Sequence, residues 1–291
     1  MRIVFAGTAA FARPTLKHLR EAGHDITLVV TQPDRAGGRG LRPIASAVKQ
    51  LAGELALEVY QPERIRDQPA QQRIREVGAD AMVVVAYGQI LPALLISIPR
   101  LGTLNVHASL LPRHRGPAPI EWAILSGDRE TGVTIMQMDA GVDTGPILAQ
   151  ARTPIAGNET TGTLEGRLAE MGGQLLVRSL DGLAQGRIQP VPQPAEGATH
   201  APRLRSEDGK LNPATMSAQE IDRRVRALSQ RLGTWLTLPG GDVKVLAGHP
   251  DDEGVADGIA VATTDGSYVV TEVQPAGGRP MSAAAWLRGR R

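Results

Sequence analysis

The segment LNVHASLLPRHRGPAP, residues 104–119, carries residue types that could do chemistry. Apolar side chains alternate here with Asn105, His107 and Ser109, so a β-strand would place an amide, an imidazole and a hydroxyl on one face. Prolines and Gly116 follow and end any regular structure. Because open α/β sheets bind ligands at the carboxyl ends of their strands, we expect this face to look into a pocket.

A carboxylate-bearing segment, MDAGVDTGPIL, follows at residues 138–148. It holds Asp139 and Asp143 among glycines that give its backbone freedom, and we predict that one of the two is structural. If Asp143 folds back over the end of the strand, it joins Asn105 and His107 in an acyl-transfer site. The amide can hold a developing oxyanion, the histidine can donate a hydrogen bond or move a proton, and the carboxylate can orient the histidine. Such a site needs no covalent nucleophile.

Composition narrows the class of protein. A chain of 291 residues, 42% of them hydrophobic, can form one large domain or two ordinary ones. The sequence has no apolar run of membrane-spanning length and no secretory signal pattern, so we predict a cytoplasmic protein that does not bind membranes. The absence of cysteine excludes disulfides and thiolate sites, and a histidine with one aspartate is weak support for a metal, so none is predicted. A net charge of +2 does not by itself argue for nucleic-acid binding.

Hydrophobic periodicity predicts alternating strands and helices in the first part of the chain. The predicted strands are residues 2–6, 25–31, 58–60, 81–86, 104–109 and 132–138. The predicted helices are residues 11–19, 45–55, 68–77, 120–125 and 160–183. The continuously apolar run at 81–86 is typical of a central parallel strand that is covered on both faces. We therefore predict an α/β fold with a doubly wound, mostly parallel, Rossmann-like sheet.

The last part of the chain predicts a second, smaller domain. Four prolines in residues 188–202 indicate a semi-rigid linker. We predict a catalytic domain at 1–187, a linker at 188–206 and a C-terminal domain at 207–291. In the last of these, Ser217 and Glu220 form the capping box of a helix. Short alternating runs from residue 241 onward predict a small antiparallel barrel of the OB type.

Two stretches of the chain concentrate arginine. The first, residues 31–46, places arginines among glycines and is either a mobile surface loop or an arm that binds a phosphate backbone. The second is the helix that follows the capping box, whose arginines lie off the apolar stripe; they form either an ordinary solvated face or a phosphate-binding cluster. The candidate phosphate-binding residues are Arg35, Arg39, Arg42, Arg223 and Arg224.

Two segments together, NVHASLLPRHRG and GVTIMQMDAGVDTG, resemble the methionyl-tRNA formyltransferase family. The resemblance extends over nearly the whole chain, through FAGTAAFA, VVTQPDRAGGRG, AYGQILP and VQPAGGRPMSAAAWLRG. It implies a doubly wound formyltransferase domain joined to a barrel-like C-terminal domain. It also implies transfer of the formyl group of 10-formyltetrahydrofolate to the free amino group of methionyl initiator tRNA, through a tetrahedral intermediate. Folate and initiator tRNA are then the partners, and we predict that the chain acts as a monomer.

The resemblance also implies roles for particular residues. Asn105 and His107 would stabilise the oxyanion, while Asp143 would tune His107 or order a water that relays the proton of the amine. The implied folate contacts are Ser109, Leu110, Leu111 and Pro112, with Tyr87, Gly88, Gln89, Ile90 and Leu91 bordering the pterin. Arg39 and Arg42 match the part of the family that meets the acceptor stem of the tRNA.

Some positions depart from the family pattern. His114 stands where an aromatic residue is usual, and Pro117 stands where a small residue is usual. These changes leave the three polar residues untouched but alter the rim of the expected pocket. Residues 228–238 also depart from the proline-rich stretch of the family, so the predicted tRNA contacts of the second domain are weaker than the catalytic assignment.

Three other functions use parts of the same pattern. A formyltransferase acting on a nucleotide-sugar amine, or a formyltetrahydrofolate hydrolase, could have the same three polar residues and folate pocket. Neither needs both an arginine-rich loop and a C-terminal barrel, which argues against them. An inert RNA-binding protein would keep the basic helix and the barrel, but it would have no reason to keep Asn105, His107 and Asp143 together.

Overall fold

A seven-stranded sheet forms the centre of the first of two units into which the chain divides. The computed structural model describes residues 1–37, 42–238, 240–251 and 258–289. The first unit contains residues 1–116, 131–153 and 165–200, and the second contains residues 117–130, 154–164 and 201–291. These units group the chain differently from the predicted domains at 1–187 and 207–291, whose bounds stay a prediction.

The strands and helices are numbered in chain order. The strands are β1 (Arg2–Gly7), β2 (Asp25–Val30), β3 (Arg35–Gly37), β4 (Arg42–Ile44), β5 (Val59–Tyr60), β6 (Ala81–Val85), β7 (Thr103–His107), β8 (Glu130–Gln137), β9 (Ile147–Pro154), β10 (Trp235–Leu238), β11 (Gly241–Pro250), β12 (Ile259–Ala262), β13 (Ser267–Pro275) and β14 (Met281–Ser282). The helices are α1 (Arg13–Glu21), α2 (Ala47–Glu54), α3 (Gln68–Glu76), α4 (Ala93–Ile96), α5 (Pro119–Leu125), α6 (Thr161–Ala184), α7 (Ala218–Leu228) and α8 (Ala283–Arg288). Short 3-10 turns lie at Ala10–Ala12 and Ser206–Gly209.

The large sheet has the order β5-β2-β1-β6-β7-β8-β9. Strands β5, β2, β1, β6 and β7 are paired in parallel, and β8 runs antiparallel to β7. All five residues of β6 are buried, as expected of a central strand. The predicted α/β fold with a mostly parallel, Rossmann-like sheet is confirmed.

Two local differences from the predicted elements have physical causes. The predicted helix at 11–19 is divided into a 3-10 turn and α1, because Pro14 lies at the start of α1, where its missing N–H costs nothing. Residues 31–46, predicted as a mobile surface loop or a phosphate-binding arm, contain the paired strands β3 and β4, in register at Arg35 with Ile44 and at Gly37 with Arg42. Arg39 lies outside the described residues.

The second unit contains a small antiparallel sheet. Strands β10, β11, β13 and β12 follow one another in this sheet, and β14 pairs with β13. Tyr268 and Trp286 are buried in its core, together with Ile221 and Val225 from α7. The expectation of a second, smaller domain with antiparallel β structure is confirmed, although β10 was not predicted.

The capping box predicted at the start of α7 is present. The Ser217 hydroxyl accepts the Glu220 amide at 3.1 Å, and the Glu220 carboxylate accepts the Ser217 amide at 2.8 Å. These contacts satisfy two backbone donors that the first turn of a helix leaves without partners. Among the described residues, no helix is long and apolar enough to cross a membrane.

Candidate active site

Strand β7 presents its polar side chains on one face of the sheet. Its apolar neighbour Val106 points the other way, towards α6, where Gly172 allows close packing: a Cβ at Gly172 would lie 2.6 Å from Val106 Cγ1. Asn105 and His107 therefore share the opposite face, since side chains alternate along a strand. They lie at the carboxyl end of β7, between β6 and β8, as the sequence predicted for a ligand-binding edge.

The imidazole of His107 contacts two different groups. Its Nε2 lies 2.9 Å from the carbonyl oxygen of His114, and its Nδ1 lies 3.6 Å from Asp143 Oδ2. A carbonyl oxygen only accepts hydrogen bonds, so Nε2 carries a hydrogen and donates it. The side chain is 7% exposed. Nδ1 is therefore the nitrogen left for chemistry: it accepts a proton in the neutral ring and donates one in the imidazolium.

Asp143 lies in the loop between β8 and β9 and faces His107. Its backbone adopts the left-handed conformation (φ +53°), which aspartate tolerates better than most residues. Its Oδ2 accepts the backbone amide of Gly116 at 2.8 Å. Asp139 instead closes the loop, since it accepts the Gly141 amide at 3.0 Å and the Thr144 hydroxyl at 2.8 Å. Asp139 therefore makes the contacts expected of the structural member of the pair.

Asn105 brings an amide to the same face. Its Oδ1 is buried, and no hydrogen-bond donor within the described part of the chain reaches it. A buried acceptor without a partner costs free energy, so this position suits a donor group of a bound ligand. The structure therefore brings His107 and Asp143 into contact. Asn105 lies two residues before His107, on the same face of β7.

The turn after β7 holds the predicted folate segment. Strand β7 ends at His107, so Ser109 is not on the strand face, which corrects the sequence expectation. The Ser109 hydroxyl donates to the Arg113 carbonyl at 2.6 Å and closes the turn. Leu111 is buried and its amide donates to Thr134 Oγ1 at 3.1 Å. Leu110 and Pro112 are half-buried, and the folate contacts of this segment stay a prediction.

The second predicted folate segment, Tyr87 to Leu91, follows β6. Some of its residues are buried and others are exposed. Tyr87 and Leu91 are buried, and burial raises the pKa of the Tyr87 phenol well above its ordinary value. Gln89 turns away to accept the Ile65 amide at 2.8 Å. Ile90 is 90% exposed and is the member of the segment most open to a ligand. Gly88 adopts a positive φ of +84° that other residues rarely allow.

Three of the five arginines predicted to bind phosphate, Arg35, Arg223 and Arg224, already have contacts within the protein. Arg224 Nη1 donates to the Asp208 carbonyl at 3.1 Å, and Arg35 Nη2 donates to Gln32 Oε1 at 2.6 Å. The side chain of Arg223 is half-buried beside Gly127, where an added Cβ would lie 3.4 Å from Arg223 Cδ. The helix face is therefore partly occupied, and tRNA binding by these residues stays a prediction.

Sequence reasoning missed two residues that contact the site loops. Gln193 Nε2 donates to the carbonyl oxygens of Asp143 and Gly145, at 2.9 and 2.7 Å. Thr199 Oγ1 accepts the amide of His114 at 2.8 Å. Both residues lie in the proline-rich stretch predicted to be a linker, residues 188–206. No sequence pattern indicates that either residue contacts the site.

The described residues contain no cluster of three or more His, Asp or Glu side chains arranged to hold a metal ion. The expectation that the reaction needs no metal stays a prediction.

Comparison with known proteins identifies similar sequences over the full chain. Residues 1–180 match the family model described as formyl transferase, and residues 203–291 match formyl transferase, C-terminal domain. The chain is 49% identical over 301 residues to the methionyl-tRNA formyltransferase of Halorhodospira halophila, covering 100% of this chain and 96% of that relative. It is 46% identical over 302 residues to the methionyl-tRNA formyltransferase of Thiobacillus denitrificans, with coverage of 100% and 97%.

Two solved structures share the fold at low sequence identity. WlaRD, a sugar 3N-formyl transferase solved in the presence of dTdp and 5-N-Formyl-THF, has a TM-score of 0.69 and 18% identity, covering 93% of this chain and 96% of that chain. HypX from Aquifex aeolicus in complex with tetrahydrofolic acid has a TM-score of 0.68 and 18% identity, covering 99% of this chain and 48% of that chain. At this identity the likeness shows the fold alone.

Proposed function

Since the chain belongs to the methionyl-tRNA formyltransferase family, we propose that it transfers the formyl group of 10-formyltetrahydrofolate to the free amino group of methionyl initiator tRNA. The main support for this function is the 49% identity, over the full chain, to a methionyl-tRNA formyltransferase. The contact between His107 and Asp143 at the carboxyl end of β7 supports it as well. The reaction prepares the initiator tRNA for translation.

The reaction proceeds by direct attack. The amine nitrogen of the methionyl group adds to the formyl carbon of the folate, and the formyl oxygen becomes an oxyanion on a tetrahedral carbon. The bond between that carbon and N10 of the folate then breaks. The attacking amine loses a proton and N10 gains one, so the products are formylmethionyl-tRNA and tetrahydrofolate. The protein must stabilise the oxyanion and move one proton.

His107 and Asn105 act on the oxyanion. Because Nε2 of His107 is held by the His114 carbonyl, hydrogen bonding to the oxyanion uses Nδ1 of the imidazolium. The Asn105 amide group supplies a second donor, while its buried Oδ1 accepts from the incoming amine. Both groups are fixed on a buried strand, so little reorganisation is needed during the reaction.

Asp143 orients His107. Its carboxylate lies 3.6 Å from His107 Nδ1, so the charged group faces the nitrogen that takes part in the reaction. The same carboxylate can accept the proton of the amine, directly or through a water that it orders, and pass it on. Because Gly116 holds Oδ2 through its amide, the carboxylate keeps this position before substrate arrives.

Folate and tRNA bind to different parts of the protein. The formyl donor contacts the turn after β7 (Ser109, Leu110, Leu111 and Pro112) and the segment from Tyr87 to Leu91, where Ile90 is exposed. The acceptor stem of the tRNA contacts Arg39 and Arg42, with further phosphate contacts from Arg35, Arg223 and Arg224. The enzyme acts as a monomer in the cytoplasm.

The alternative acceptor is a nucleotide-sugar amine. The fold is shared with a sugar 3N-formyl transferase, but at 18% identity. The 49% identity to a methionyl-tRNA formyltransferase over the full chain favours the tRNA substrate. Formyltetrahydrofolate hydrolysis would require water to take the place of the amine.

One experiment separates these activities. Purified protein is mixed with 10-formyltetrahydrofolate and either methionyl initiator tRNA, uncharged initiator tRNA or a nucleotide-linked amino sugar. We expect a mass increase of one formyl group on the methionine of the charged tRNA only. Release of formate without an acceptor would indicate a hydrolase, and formylation of the sugar alone would exclude the proposed function. A chelator added in parallel should leave the rate unchanged.

A further inference from the structure

Residues 191–199 are bonded to the loops that carry the candidate active site. Val191 pairs with Ile147 through two backbone hydrogen bonds of 2.7 and 2.8 Å. Thr199 accepts the His114 amide through its hydroxyl at 2.8 Å and the Arg115 amide through its carbonyl at 2.9 Å. The segment is therefore fixed at both ends, although its proline-rich sequence predicts a spacer.

The side-chain amide of Gln193 lies between these two ends and uses all of its hydrogen-bonding capacity. Oε1 accepts from Arg115 Nε at 3.0 Å and from Arg115 Nη2 at 2.7 Å. Nε2 donates to the carbonyl oxygens of Asp143 at 2.9 Å and Gly145 at 2.7 Å. An amide has two donor hydrogens and two acceptor lone pairs, so each of them has a partner. Gln193 is half-buried, while its immediate neighbours are exposed.

These four hydrogen bonds join the two loops that set the geometry of His107. The first loop, residues 113–116, supplies the His114 carbonyl to His107 Nε2 and the Gly116 amide to Asp143 Oδ2. The second loop, between β8 and β9, carries Asp143 itself. Asp143 is held at its carboxylate by the first loop and at its carbonyl by Gln193.

The backbone of Asp143 needs such support. A non-glycine residue with a positive φ costs free energy and persists where its surroundings hold it in place. The hydrogen bond from Gln193 to the Asp143 carbonyl acts directly on this strained peptide. Without it, the loop can relax and move the carboxylate away from His107.

We propose that Gln193 is a positioning residue that holds Asp143 at its distance from His107, so that residues 191–199 support the active site rather than only spacing two domains. The proposal rests on the proposed function, since it assigns Gln193 an effect on formyl transfer. Misplacing a reacting group by about 1 Å can cost on the order of 100-fold in rate. If Asp139 still closes the loop, the Asp143 carboxylate should be displaced only in part, and the rate of formyl transfer should fall about 10-fold.

The first test compares three variants of the full chain by single-turnover formyl transfer at saturating folate and tRNA. Gln193→Ala should lower the rate about 10-fold while leaving the folate Kd within about twofold. Gln193→Glu keeps the oxygen that accepts from Arg115 but loses both donor hydrogens, and it places a negative charge against two carbonyl oxygens. Its transfer rate should therefore fall at least as far as that of Gln193→Ala. The control Gln185→Ala removes another amide that contacts an arginine, Arg187, and should leave the rate unchanged.

The second test is a double-mutant cycle with Asp143→Asn. If Gln193 acts through Asp143, adding Gln193→Ala to Asp143→Asn should cause no further loss of rate, because the carboxylate to be positioned is gone. An equal fold loss in both backgrounds would overturn the proposal, since Gln193 would then act by another route. A transfer rate of Gln193→Ala alone within about twofold of wild type would also overturn the proposal.

A third readout does not depend on formyl transfer. The Gly116 amide donates to Asp143 Oδ2, so its hydrogen exchange reports whether the carboxylate is in place. Exchange at Gly116 should be faster in Gln193→Ala and unchanged in Gln185→Ala. Unchanged exchange in Gln193→Ala would overturn the positioning role. If wild-type protein fails to formylate methionyl-tRNA, the proposed function fails, and this exchange measurement still decides whether Gln193 holds the loop.

Discussion

The Gly116 amide donates a hydrogen bond to Asp143 Oδ2 at 2.8 Å, and this backbone contact keeps the carboxylate beside the imidazole of His107. The position of Asp143 is thus set by the main chain of another loop. Replacing the carboxylate by an amide can therefore remove its charge while keeping its place, because an amide oxygen also accepts from Gly116.

Asp143→Asn should reduce the single-turnover rate of formyl transfer by about 100-fold or more, because a neutral amide cannot accept the proton of the amine or orient His107 by its charge. Asparagine also tolerates the positive φ at this position, so the fold should survive. The matched control is Asp139→Asn, which changes a carboxylate in the same loop that faces Thr144 and Gly141. Similar rates for wild type and Asp143→Asn would remove this residue from the mechanism.

His107→Ala should lower the same rate by about 100-fold or more, since it removes both the oxyanion donor and the group that Asp143 supports. His18→Ala is the control, because His18 is a partly exposed histidine on α1 that contacts Glu170 through Nε2 at 2.6 Å. Rapid-quench measurements with folate and charged tRNA at saturation compare the two. An equal loss in both variants would show that the effect is not specific to the site.

Gly145→Ala should impair both formyl transfer and stability, because a Cβ at this position would collide with the carbonyl oxygen of Gln137. Forcing extra atoms into a packed site costs about 1–3 kcal/mol, and the displaced backbone is the one that carries Asp143. Gly166→Ala in α6 is the control, since nothing lies within 4 Å of the added Cβ, and alanine favours a helix by about 0.5–1 kcal/mol. Denaturant unfolding and transfer rates are measured for both. A Gly145→Ala protein with normal rates would mean that the loop shifts without moving Asp143.

The capping box of α7 predicts a pH-dependent contribution to stability. The backbone hydrogen bond from Ser217 holds the pKa of Glu220 below its ordinary value of 4.5. A lowered pKa in the folded state means that the carboxylate stabilises the protein above 4.5 and that this stability is lost as the pH falls through the folded-state pKa. Glu220→Gln should therefore be less stable than wild type at neutral pH and equal to it in strong acid.

Ser217→Ala is the control, because it removes the hydroxyl but keeps the backbone amide that holds the Glu220 carboxylate. It should cost about 1 kcal/mol of stability at neutral pH, with a weaker pH dependence than Glu220→Gln. Urea unfolding followed by tryptophan fluorescence is a suitable measurement, since Trp122, Trp235 and Trp286 all lie in the second unit with α7. A stability loss in Glu220→Gln that does not change with pH would contradict the assigned role of the charge.

Replacing both Arg39 and Arg42 by Ala should weaken binding of initiator tRNA and reduce its salt dependence. Each lost phosphate contact lowers the slope of log K against log salt by about one, so the double variant should lose about two. Transfer at saturating tRNA should also slow, because these contacts help to place the methionyl amine. The control is the double variant Arg73→Ala and Arg75→Ala on α3. An unchanged salt slope for the first pair would assign the phosphate contacts elsewhere.

The sequence by itself determined most of the succession of strands and helices in the first part of the chain, although not β9 or α4, as well as the buried central strand β6 and the capping box at Ser217. These features follow from side-chain patterns within a few residues, which set local backbone conformation and the face that is buried. It also pointed to Asn105, His107 and Asp143 as candidates, since their types suit acyl transfer.

Only the tertiary structure decided how these groups meet. The hydrogen on His107 Nε2 is fixed by the carbonyl of His114, and the Asp143 carboxylate is fixed by the amide of Gly116. Backbone groups are the same at every residue, so no side-chain pattern shows which of them will bind. Gln193 lies in a proline-rich stretch, and its role depends on contacts with loops distant in sequence. Such contacts form when the chain folds back on itself, and local periodicity does not encode them.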